Sequence, residues 1–298
     1  MKVIFLGGGY LGYNLSKLLE DTYETALWGI DSPYTSLSDS FCKVNAFDEE
    51  AMGELDFKDA VIVDTISLVS NDAKSEDADA ILENVRKKYE TLIEILKKGQ
   101  AKQFIFFSSG GTIYGSHKDK VSEEVSTNPE TLYAKSKVML EEMLQNSGIN
   151  YLILRLSNPY GGYQIAGKRQ GVIPILIRSA LLDEPFHLWA SSDSVRDYFY
   201  INDLAKAIDL LIQHYISREI INVGSGTGAS LEKVIEIIEE ETNSKIEITR
   251  EDSNVPIVDS IVLDIHKLET LTGYKPTVSL EEGIKYEIMR IKEEIWSF

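Results

Sequence analysis

The stretch Lys2-Val-Ile-Phe-Leu-Gly-Gly-Gly-Tyr-Leu-Gly12 holds a short apolar run that leads directly into a glycine-rich segment. The spaced glycines are Gly7, Gly9 and Gly12. The apolar run predicts a buried strand and the residues after the loop predict a helix, which is the context that a dinucleotide-binding loop requires. In such a loop the first glycine makes a tight turn, the second lets a pyrophosphate approach, and the third packs the helix on the strand. The helix start, with Tyr10 and Leu11, would then face the anion. The alternative is a glycine-rich turn without a ligand.

An acidic residue at the end of the second predicted strand would bind an adenosine ribose, and Asp31 stands at that position. Asp31 could instead belong to the turn that leads into Ser32-Pro33. No arginine occurs between Asp31 and Cys42, so the sequence offers no partner for a 2′-phosphate. The cofactor that this segment favours is therefore NAD rather than NADP.

Charge and composition exclude several classes of function. The 298 residues carry 48 Asp and Glu against 30 Lys and Arg, a formal charge of −18, which opposes binding to nucleic acid and to anionic membranes. The first apolar run is too short for a signal peptide, and no run approaches the length of a transmembrane helix. Cys42 is the only cysteine and the four histidines lie far apart, so we predict neither a disulfide nor a metal site. These features predict a cytoplasmic protein.

The first half of the chain alternates short apolar runs with longer amphipathic ones, which is typical of strands and helices in a parallel sheet. The predicted strands are 2–6, 25–30, 60–64, 103–108, 151–156 and 220–224, and the predicted helices are 12–20, 80–98, 133–145 and 231–241, the last with Ser230 as its N-cap. This pattern predicts an α/β fold built on a doubly wound parallel sheet.

The alternation breaks down after Asn158, where glycine-rich loops begin. We therefore predict a cofactor-binding domain over residues 1–157, to which 196–224 return. A smaller, mixed α/β lobe for the substrate would comprise 158–195 and 225–298. A chain of this length suits two packed lobes better than one small core.

Tyr133 and Lys137 are four residues apart in a run of good helix formers, so their side chains share one helix face. An ammonium beside a phenol favours the phenolate, which makes the tyrosine a candidate base. The same spacing occurs at Tyr13/Lys17 and Tyr114/Lys118, but these pairs fall in the glycine loop's helix start and in a glycine-rich loop. An exposed helical pair without a function is the alternative for Tyr133 and Lys137.

Several further segments match a known family in the correct order. Besides the glycine loop and the Tyr133 helix, they are Phe104-Ile-Phe-Phe-Ser-Ser-Gly-Gly-Thr-Ile-Tyr-Gly115, Arg155-Leu-Ser-Asn-Pro-Tyr-Gly161, Gly171-Val-Ile-Pro174, Arg196-Asp-Tyr-Phe-Tyr-Ile-Asn-Asp203 and Asn222-Val-Gly-Ser-Gly226. With these segments the chain resembles, over nearly its whole length, the extended short-chain dehydrogenase/reductase family, in particular its NAD-dependent sugar-nucleotide epimerases and dehydratases. The resemblance implies a Rossmann-type cofactor domain, NAD as cofactor and a nucleotide sugar as substrate.

The family resemblance also implies roles for single residues. Tyr133 would be the base that takes a proton from a sugar hydroxyl while hydride leaves the same carbon for the nicotinamide. Lys137 would favour the phenolate and bind the nicotinamide ribose. Asn158 and Arg196 would contact the substrate diphosphate, although Asn158 could merely cap a turn and Arg196 could pair with Asp197. The other implied positions are Asn45, Ser67 and Ser108 around the cofactor, and Tyr114 and Val172 around the substrate.

One family position is occupied differently in this chain. A helper Ser or Thr usually stands four residues before the tyrosine of the strand-end Tyr-Gly, and here that position is Gly110. Thr112 is our first candidate for the missing hydroxyl and Ser109 the second, although either could be a backbone-bonded loop hydroxyl. The alternative is that Tyr133 works without a helper hydroxyl. A 4,6-dehydratase needs an acidic pair at this point of the loop, and the chain has Gly111 and Thr112 there.

These features make a nucleotide-sugar epimerase the leading hypothesis, acting at C4 of a UDP-hexose or UDP-N-acetylhexosamine through a 4-keto intermediate. A keto-sugar reductase would use the same residues, but it would usually prefer NADPH. A non-catalytic, nucleotide-sensing member of the fold typically loses the tyrosine or the lysine, and this chain keeps both. The resemblance further suggests a homodimer formed through the helices at 80–98 and 133–145.

Overall fold

The computed structural model describes residues 1–34, 40–70, 73, 77–164, 171–188, 193–250 and 258–296. Its thirteen strands within these ranges are β1 Lys2–Leu6, β2 Glu24–Gly29, β3 Phe41–Lys43, β4 Val61–Asp64, β5 Gln103–Ser109, β6 Tyr151–Leu156, β7 Asn158–Tyr160, β8 Phe186–Leu188, β9 Val195–Tyr200, β10 Glu219–Val223, β11 Gly228–Ser230, β12 Ile248–Arg250 and β13 Ser260–Ile261. The nine helices of the same ranges are α1 Tyr10–Leu18, α2 Glu49–Gly53, α3 Ala78–Lys98, α4 Leu132–Asn146, α5 Val172–Leu182, α6 Ile201–Gln213, α7 Leu231–Thr242, α8 His266–Thr272 and α9 Leu280–Trp296.

A seven-stranded sheet carries the first half of the chain, in the order β10-β6-β5-β4-β1-β2-β3. Every neighbouring pair of these strands is parallel. The strand order reverses between β1 and β4, and in doubly wound sheets such a switch point opens a crevice at the carboxyl ends of the strands. The predicted doubly wound α/β fold is confirmed.

Helices cover both faces of this sheet because successive strand residues point to opposite sides. On β1, Val3 and Phe5 pack into one apolar cluster with α1 and α6, whereas Ile4 and Leu6 pack into a second cluster with α2, α3 and α4. The central strands β1, β4, β5 and β6 are buried on both faces, which explains why their sequences are largely continuous apolar runs rather than alternating ones.

The boundaries of the six strands and four helices that we predicted lie within two residues of those in the structure. The strand predicted at 25–30 ends at Gly29 instead, and Ile30 is 63% exposed. Ser230 caps α7 as predicted, because its hydroxyl accepts the backbone N–H of Lys233. The edge strand β3 was missed since three residues are too few to show a period.

The second lobe is built on a four-stranded sheet centred on β9. The first half of β9 lies between β11 and β13, and its second half pairs with β7. A separate two-stranded pair joins β8 and β12. Helices α5, α7 and α9 pack together over this lobe and enclose a third apolar cluster.

The path between the lobes differs in detail from the prediction. The chain leaves the seven-stranded sheet after Leu156 and enters the second sheet at Asn158. We predicted the return to the first lobe over 196–224, but β9 belongs to the second sheet and the return begins with α6 at Ile201. Helix α8, placed by prediction in the substrate lobe, contributes Leu268 to the apolar cluster of α1 and α6.

Candidate active site

The glycine loop between β1 and α1 has the geometry that an anion-binding turn needs. Gly7 has a φ of +111°, a conformation that side chains disfavour, and a Cβ on Gly12 would lie 2.1 Å from the carbonyl oxygen of Gly7. Gly9 instead faces open space, because no described residue beyond its chain neighbours comes within 4 Å of a Cβ placed there. The first turn of α1 contains no acidic residue, and no side chain in the described part of the chain caps it. Its N–H groups and positive dipole end therefore suit a pyrophosphate.

Gly8 and Thr65 also shape this loop, and sequence reasoning did not identify either of them. A Cβ on Gly8 would lie 2.4 Å from the Asp31 carbonyl oxygen, so the β2 loop crosses directly over Gly8. Thr65 Oγ1 lies 2.9 Å from the Leu6 carbonyl oxygen and 3.1 Å from that of Gly7. Thr65 follows β4, and only the strand order places it beside the loop after β1.

Three residues predicted to contact the cofactor follow strands of the seven-stranded sheet. Asp31 is exposed after β2. Asn45, after β3, is exposed and accepts the Phe47 N–H at 3.1 Å, and Ser67, after β4, donates to the Val69 carbonyl at 2.7 Å. Their contacts with a cofactor stay predictions.

Tyr10 and Leu11, at the start of α1, have side chains with structural roles. Tyr10 Oη donates to the carbonyl oxygen of Gly161 at 2.6 Å, and Leu11 packs against the cluster of α1 and α6. Asn14 reinforces the same junction, since its Nδ2 donates to the Tyr163 carbonyl at 2.9 Å and its Oδ1 accepts the Tyr163 N–H at 2.8 Å. The backbone N–H groups of Tyr10 and Leu11 are the atoms that we predict to contact the cofactor.

Helix α4 brings Tyr133 and Lys137 together. The hydroxyl of Thr131 caps the helix by accepting the Ala134 N–H, and the next turns place Lys137 Nζ 5.8 Å from the centroid of the Tyr133 ring. Lys137 is 6% exposed, and its Nζ donates to the Phe107 carbonyl on β5 at 2.8 Å. The ammonium is therefore fixed beside a half-buried phenol.

The other two Tyr/Lys pairs are not comparable. Tyr13 stacks on Tyr34 with ring centroids 4.5 Å apart, and burial raises the pKa of Tyr13. Tyr114 lies outside any helix and is 1% exposed, and burial raises its pKa to about 12. Neither phenol is suited to act as a base.

We predicted that Tyr114 contacts the substrate, but the structure gives its hydroxyl two protein partners instead. Its Oη donates to Asn222 Oδ1 at 2.8 Å and accepts from Arg155 Nη1 at 2.7 Å. Arg155 in turn binds Glu141 of α4 through three contacts of 2.7–3.2 Å. Tyr114 therefore belongs to a buried polar network that joins α4, β6 and β10, with its hydroxyl already satisfied.

Ser109 and Thr112, the two candidates for the helper hydroxyl, lie on either side of Gly110 at the end of β5. Thr112 Oγ1 donates to Ser109 Oγ at 2.9 Å, so the two candidates are coupled. A Cβ on Gly110 would lie 2.7 Å from Leu263 Cδ1, which explains why a larger residue does not fit there without a shift of Leu263. Ser108 Oγ is buried without a hydrogen-bond partner among the described residues, which is consistent with its predicted contact with a bound group.

Substitution of Thr112 tests the hydroxyl requirement. We expect Thr112→Val, which removes the hydroxyl but keeps the shape, to lower kcat about 10- to 100-fold, the usual effect of losing a hydrogen bond to a charged group. Thr112→Ser, which keeps the hydroxyl, is the matched control and should retain most activity. Full activity of Thr112→Val in steady-state kinetics would exclude Thr112, and Ser109→Ala would then decide between Ser109 and a base that needs no helper hydroxyl.

Asn158 and Arg196 lie on neighbouring strands at the lobe boundary. Asn158 pairs in register with Tyr198, two residues after Arg196, and Asn158 Nδ2 lies 3.5 Å from a Cβ placed on Gly111 of the β5 loop. Arg196 Nη1 donates to the carbonyls of Val195 at 3.0 Å and Asp259 at 3.2 Å, and burial lowers its pKa. A guanidinium has five N–H donors, so several remain for a diphosphate.

The alternative ion pair between Arg196 and Asp197 is wrong. Neighbouring residues of a strand point to opposite faces, and the Asp197 carboxylate accepts hydrogen bonds from Ser225, Gly226 and Leu263 instead. Burial raises the pKa of Asp197 to about 6 despite these bonds. Val172, the third predicted substrate residue, is the first residue of α5 and is partly buried.

These observations define a class of enzyme. A doubly wound sheet with a glycine loop at its switch point and a Tyr/Lys pair on the helix after β5 is the architecture of a dinucleotide-dependent short-chain dehydrogenase/reductase. The profile of the NAD dependent epimerase/dehydratase family matches residues 3–224, so the chain belongs to that family and its cofactor is NAD.

Known relatives cover more than one reaction. A dTDP-4-dehydro-6-deoxyglucose reductase of Escherichia coli is 39% identical over 202 residues, a match that spans 66% of this chain and 64%, less than two thirds, of that enzyme. A putative UDP-glucose 4-epimerase of Methanocaldococcus jannaschii is 30% identical over 298 residues, with 94% of each chain covered. The crystal structure of UDP-glucose 4-epimerase from Thermus thermophilus in complex with NAD is 25% identical, with a TM-score of 0.87 over 98% of this chain and 99% of that one.

None of the helices in the described ranges combines the length and apolar character needed to cross a bilayer.

Proposed function

We propose that this chain interconverts the C4 epimers of a nucleotide sugar, a UDP-hexose or a UDP-N-acetylhexosamine, with NAD as a cofactor regenerated in each cycle. The observation that carries the proposal is the fixed Tyr133/Lys137 pair on α4, next to a β5 loop that offers Gly111 and Thr112 rather than acidic residues. A base and a bound nicotinamide suffice for oxidation and reduction at one carbon, whereas elimination of water also needs an acid at this loop.

The residues of the chain supply the proton chemistry and the binding. In its phenolate form Tyr133 takes the proton of the C4 hydroxyl, and it returns that proton when the ketone is reduced on its other face. When bound, NAD accepts the hydride from C4 and gives it back. Lys137 stabilises the phenolate, and its anchor on the Phe107 carbonyl fixes the distance between the two groups.

The predicted cofactor contacts follow the carboxyl edge of the sheet. Gly7, Gly9 and Gly12 with the first turn of α1 would hold the pyrophosphate. Asp31 would bind the adenosine ribose and Asn45 the adenine, while Ser67, Ser108 and Lys137 would line the nicotinamide half. The open space above Gly9 and the unpaired Ser108 hydroxyl support this arrangement.

The substrate contacts come from the lobe boundary. Asn158 and Arg196 would bind the diphosphate, because an amide and a guanidinium together offer several N–H donors to its oxygens. Val172 would contact the nucleotide sugar from the start of α5. The homodimer through α3 and α4 remains part of the proposal, and the two helices do pack side by side on one face of the sheet.

A nucleotide-keto-sugar reductase is the second candidate. The identity of 39% to the Escherichia coli dTDP-4-dehydro-6-deoxyglucose reductase favours it, although over 202 residues only. Such an enzyme would use Tyr133 as an acid rather than a base, would consume one reduced cofactor per turnover, and would release the oxidised form.

Proton NMR separates the two candidates. We expect the purified protein, incubated with a UDP-hexose or UDP-N-acetylhexosamine and no added reductant, to produce the anomeric signals of the C4 epimer. Epimerisation should continue for many turnovers per enzyme-bound NAD. Turnover of a 4-keto sugar with reduced cofactor, together with no epimerisation, would establish the reductase. No reaction across UDP, GDP and dTDP sugars would reject both enzymes.

A further inference from the structure

Two buried groups next to the Tyr133 helix have no part in the function described so far. Asp64, the last residue of β4, and Tyr89, on α3, are each 1% exposed. Tyr89 Oη donates to Asp64 Oδ2 at 2.7 Å, and the Ile66 N–H donates to Asp64 Oδ1 at 2.9 Å. Because both carboxyl oxygens accept hydrogen bonds, the surroundings suit the ionised form of the acid, which is an acceptor only.

The ring of Phe106 connects this pair to Lys137. Phe106 is the strand partner of Asp64 in the pairing of β4 with β5. Lys137 Nζ lies 4.7 Å from the centroid of the ring, and Tyr89 meets the same ring edge-on at 6.1 Å between centroids. An ammonium and a hydrogen-bonded carboxyl group thus lie around one buried aromatic ring, where the low local dielectric strengthens their interaction.

The pKa values of Asp64 and Tyr89 depend on each other and on groups of α4. Burial raises the pKa of Asp64 above its ordinary value, and the Lys137 ammonium and the hydrogen bonds from Tyr89 and Ile66 offset part of this rise. Burial raises the pKa of Tyr89 well above its ordinary value, and Asp64 and Tyr133 add to the effect, so Tyr89 remains a hydrogen-bond donor. Two titratable groups of α4 therefore act on the Asp64–Tyr89 pair: Lys137 lowers the pKa of Asp64, and Tyr133 raises that of Tyr89.

We propose that Asp64 and Tyr89 are positioning residues for the Tyr133 base: the Asp64 carboxylate, held by Tyr89, opposes the charge of Lys137 and so sets the pH at which Tyr133 loses its proton. The cation alone would favour the phenolate, and a nearby anion acts in the opposite direction. The Asp64 carboxylate is thus a buried counter-charge to the Lys137 ammonium that stands beside the Tyr133 ring. This inference rests on the proposed role of Tyr133 as the base.

The test is a titration that does not require turnover. The ultraviolet tyrosinate signal of Tyr133 is obtained as the difference between the protein and its Tyr133→Phe variant, and the same difference is measured in an Asp64→Asn background. Asparagine keeps the shape and can still bond to Tyr89 and Ile66. We expect the midpoint of the Tyr133 titration to move to lower pH by about one unit. The acid limb of the kcat profile should move in the same direction.

Two further variants separate this effect from a loss of structure. Tyr89→Phe removes the hydroxyl that stabilises the carboxylate, so it should shift the midpoint the same way by a smaller amount. Asp209→Asn is the matched control, because Tyr23 Oη donates to Asp209 Oδ1 at 2.6 Å on the opposite face of the sheet, and it should leave the midpoint unchanged. An unchanged or higher midpoint in Asp64→Asn would overturn the proposal. If no nucleotide sugar reacted, the proposed function would fail, while the titration would still decide the role of Asp64.

Discussion

Replacing Tyr133 by phenylalanine is expected to lower kcat by about 10²- to 10⁴-fold, the range that a positioned general base contributes. The substitution removes one oxygen and leaves the ring in the apolar cluster of α3 and α4. Lys137 keeps its bond to the Phe107 carbonyl, which does not involve Tyr133. Bound NAD should therefore stay with the purified variant, as measured by its absorbance after denaturation.

Tyr13→Phe is the matched control for this experiment. Tyr13 has the same spacing to a lysine, but its ring stacks on Tyr34 and phenylalanine can keep that stack. We expect its kcat to remain within a few-fold of that of the unmodified protein. Comparable kcat values for the Tyr133→Phe and Tyr13→Phe variants would remove Tyr133 from the role of base.

The largest effect on stability is expected at the ion pair between Glu141 and Arg155. Their side chains are 3% and 7% exposed, and Arg155 Nη2 lies 2.7 Å from Glu141 Oε2. Glu141→Ala would leave a buried guanidinium without its counter-charge, and such losses cost about 3–5 kcal/mol. The free energy of unfolding, measured by denaturant titration, should fall by that amount.

Surface ion pairs provide the comparison for Glu141. Glu94 and Lys97 lie 2.7 Å apart on α3 with side chains 60% and 42% exposed, and Glu94→Ala should change the free energy of unfolding by less than about 1 kcal/mol. Replacing both buried partners, with Glu141→Leu and Arg155→Met, should restore part of the loss. Equal effects of Glu141→Ala and Glu94→Ala would contradict the structural role of the buried pair.

The cofactor half of the fold could be predicted because its signals are local. Each buried strand is a continuous apolar run, and Gly7, Gly9 and Gly12 follow the first of these runs directly. Periodicity also located α3 and α4, and with α4 the shared face of Tyr133 and Lys137. In these segments the residues that determine the structure are neighbours in the sequence.

Several of the features that were missed depend on contacts between distant segments. Thr65 reaches the glycine loop only because β4 lies beside β1, and Gly8 is restricted by the backbone of Asp31. Tyr114 has the sequence context of a site residue, yet its hydroxyl is taken by Asn222 and Arg155. The short strands of the second lobe carry too few residues for a period, so the sheet around β9 could not be predicted.

The pairing of β10 with β6 makes the first half of this chain depend on residues far along it. A fragment that stopped at Ser157 would expose β6 as an open strand edge, with unpaired N–H and C=O groups ready to bind another chain. It would also uncover the apolar surface of α1 that packs against α6 in the same cluster. The cofactor lobe is therefore built from two separate parts of the chain. Cutting the chain between the lobes would create an aggregation-prone strand edge and not a cofactor domain that folds alone.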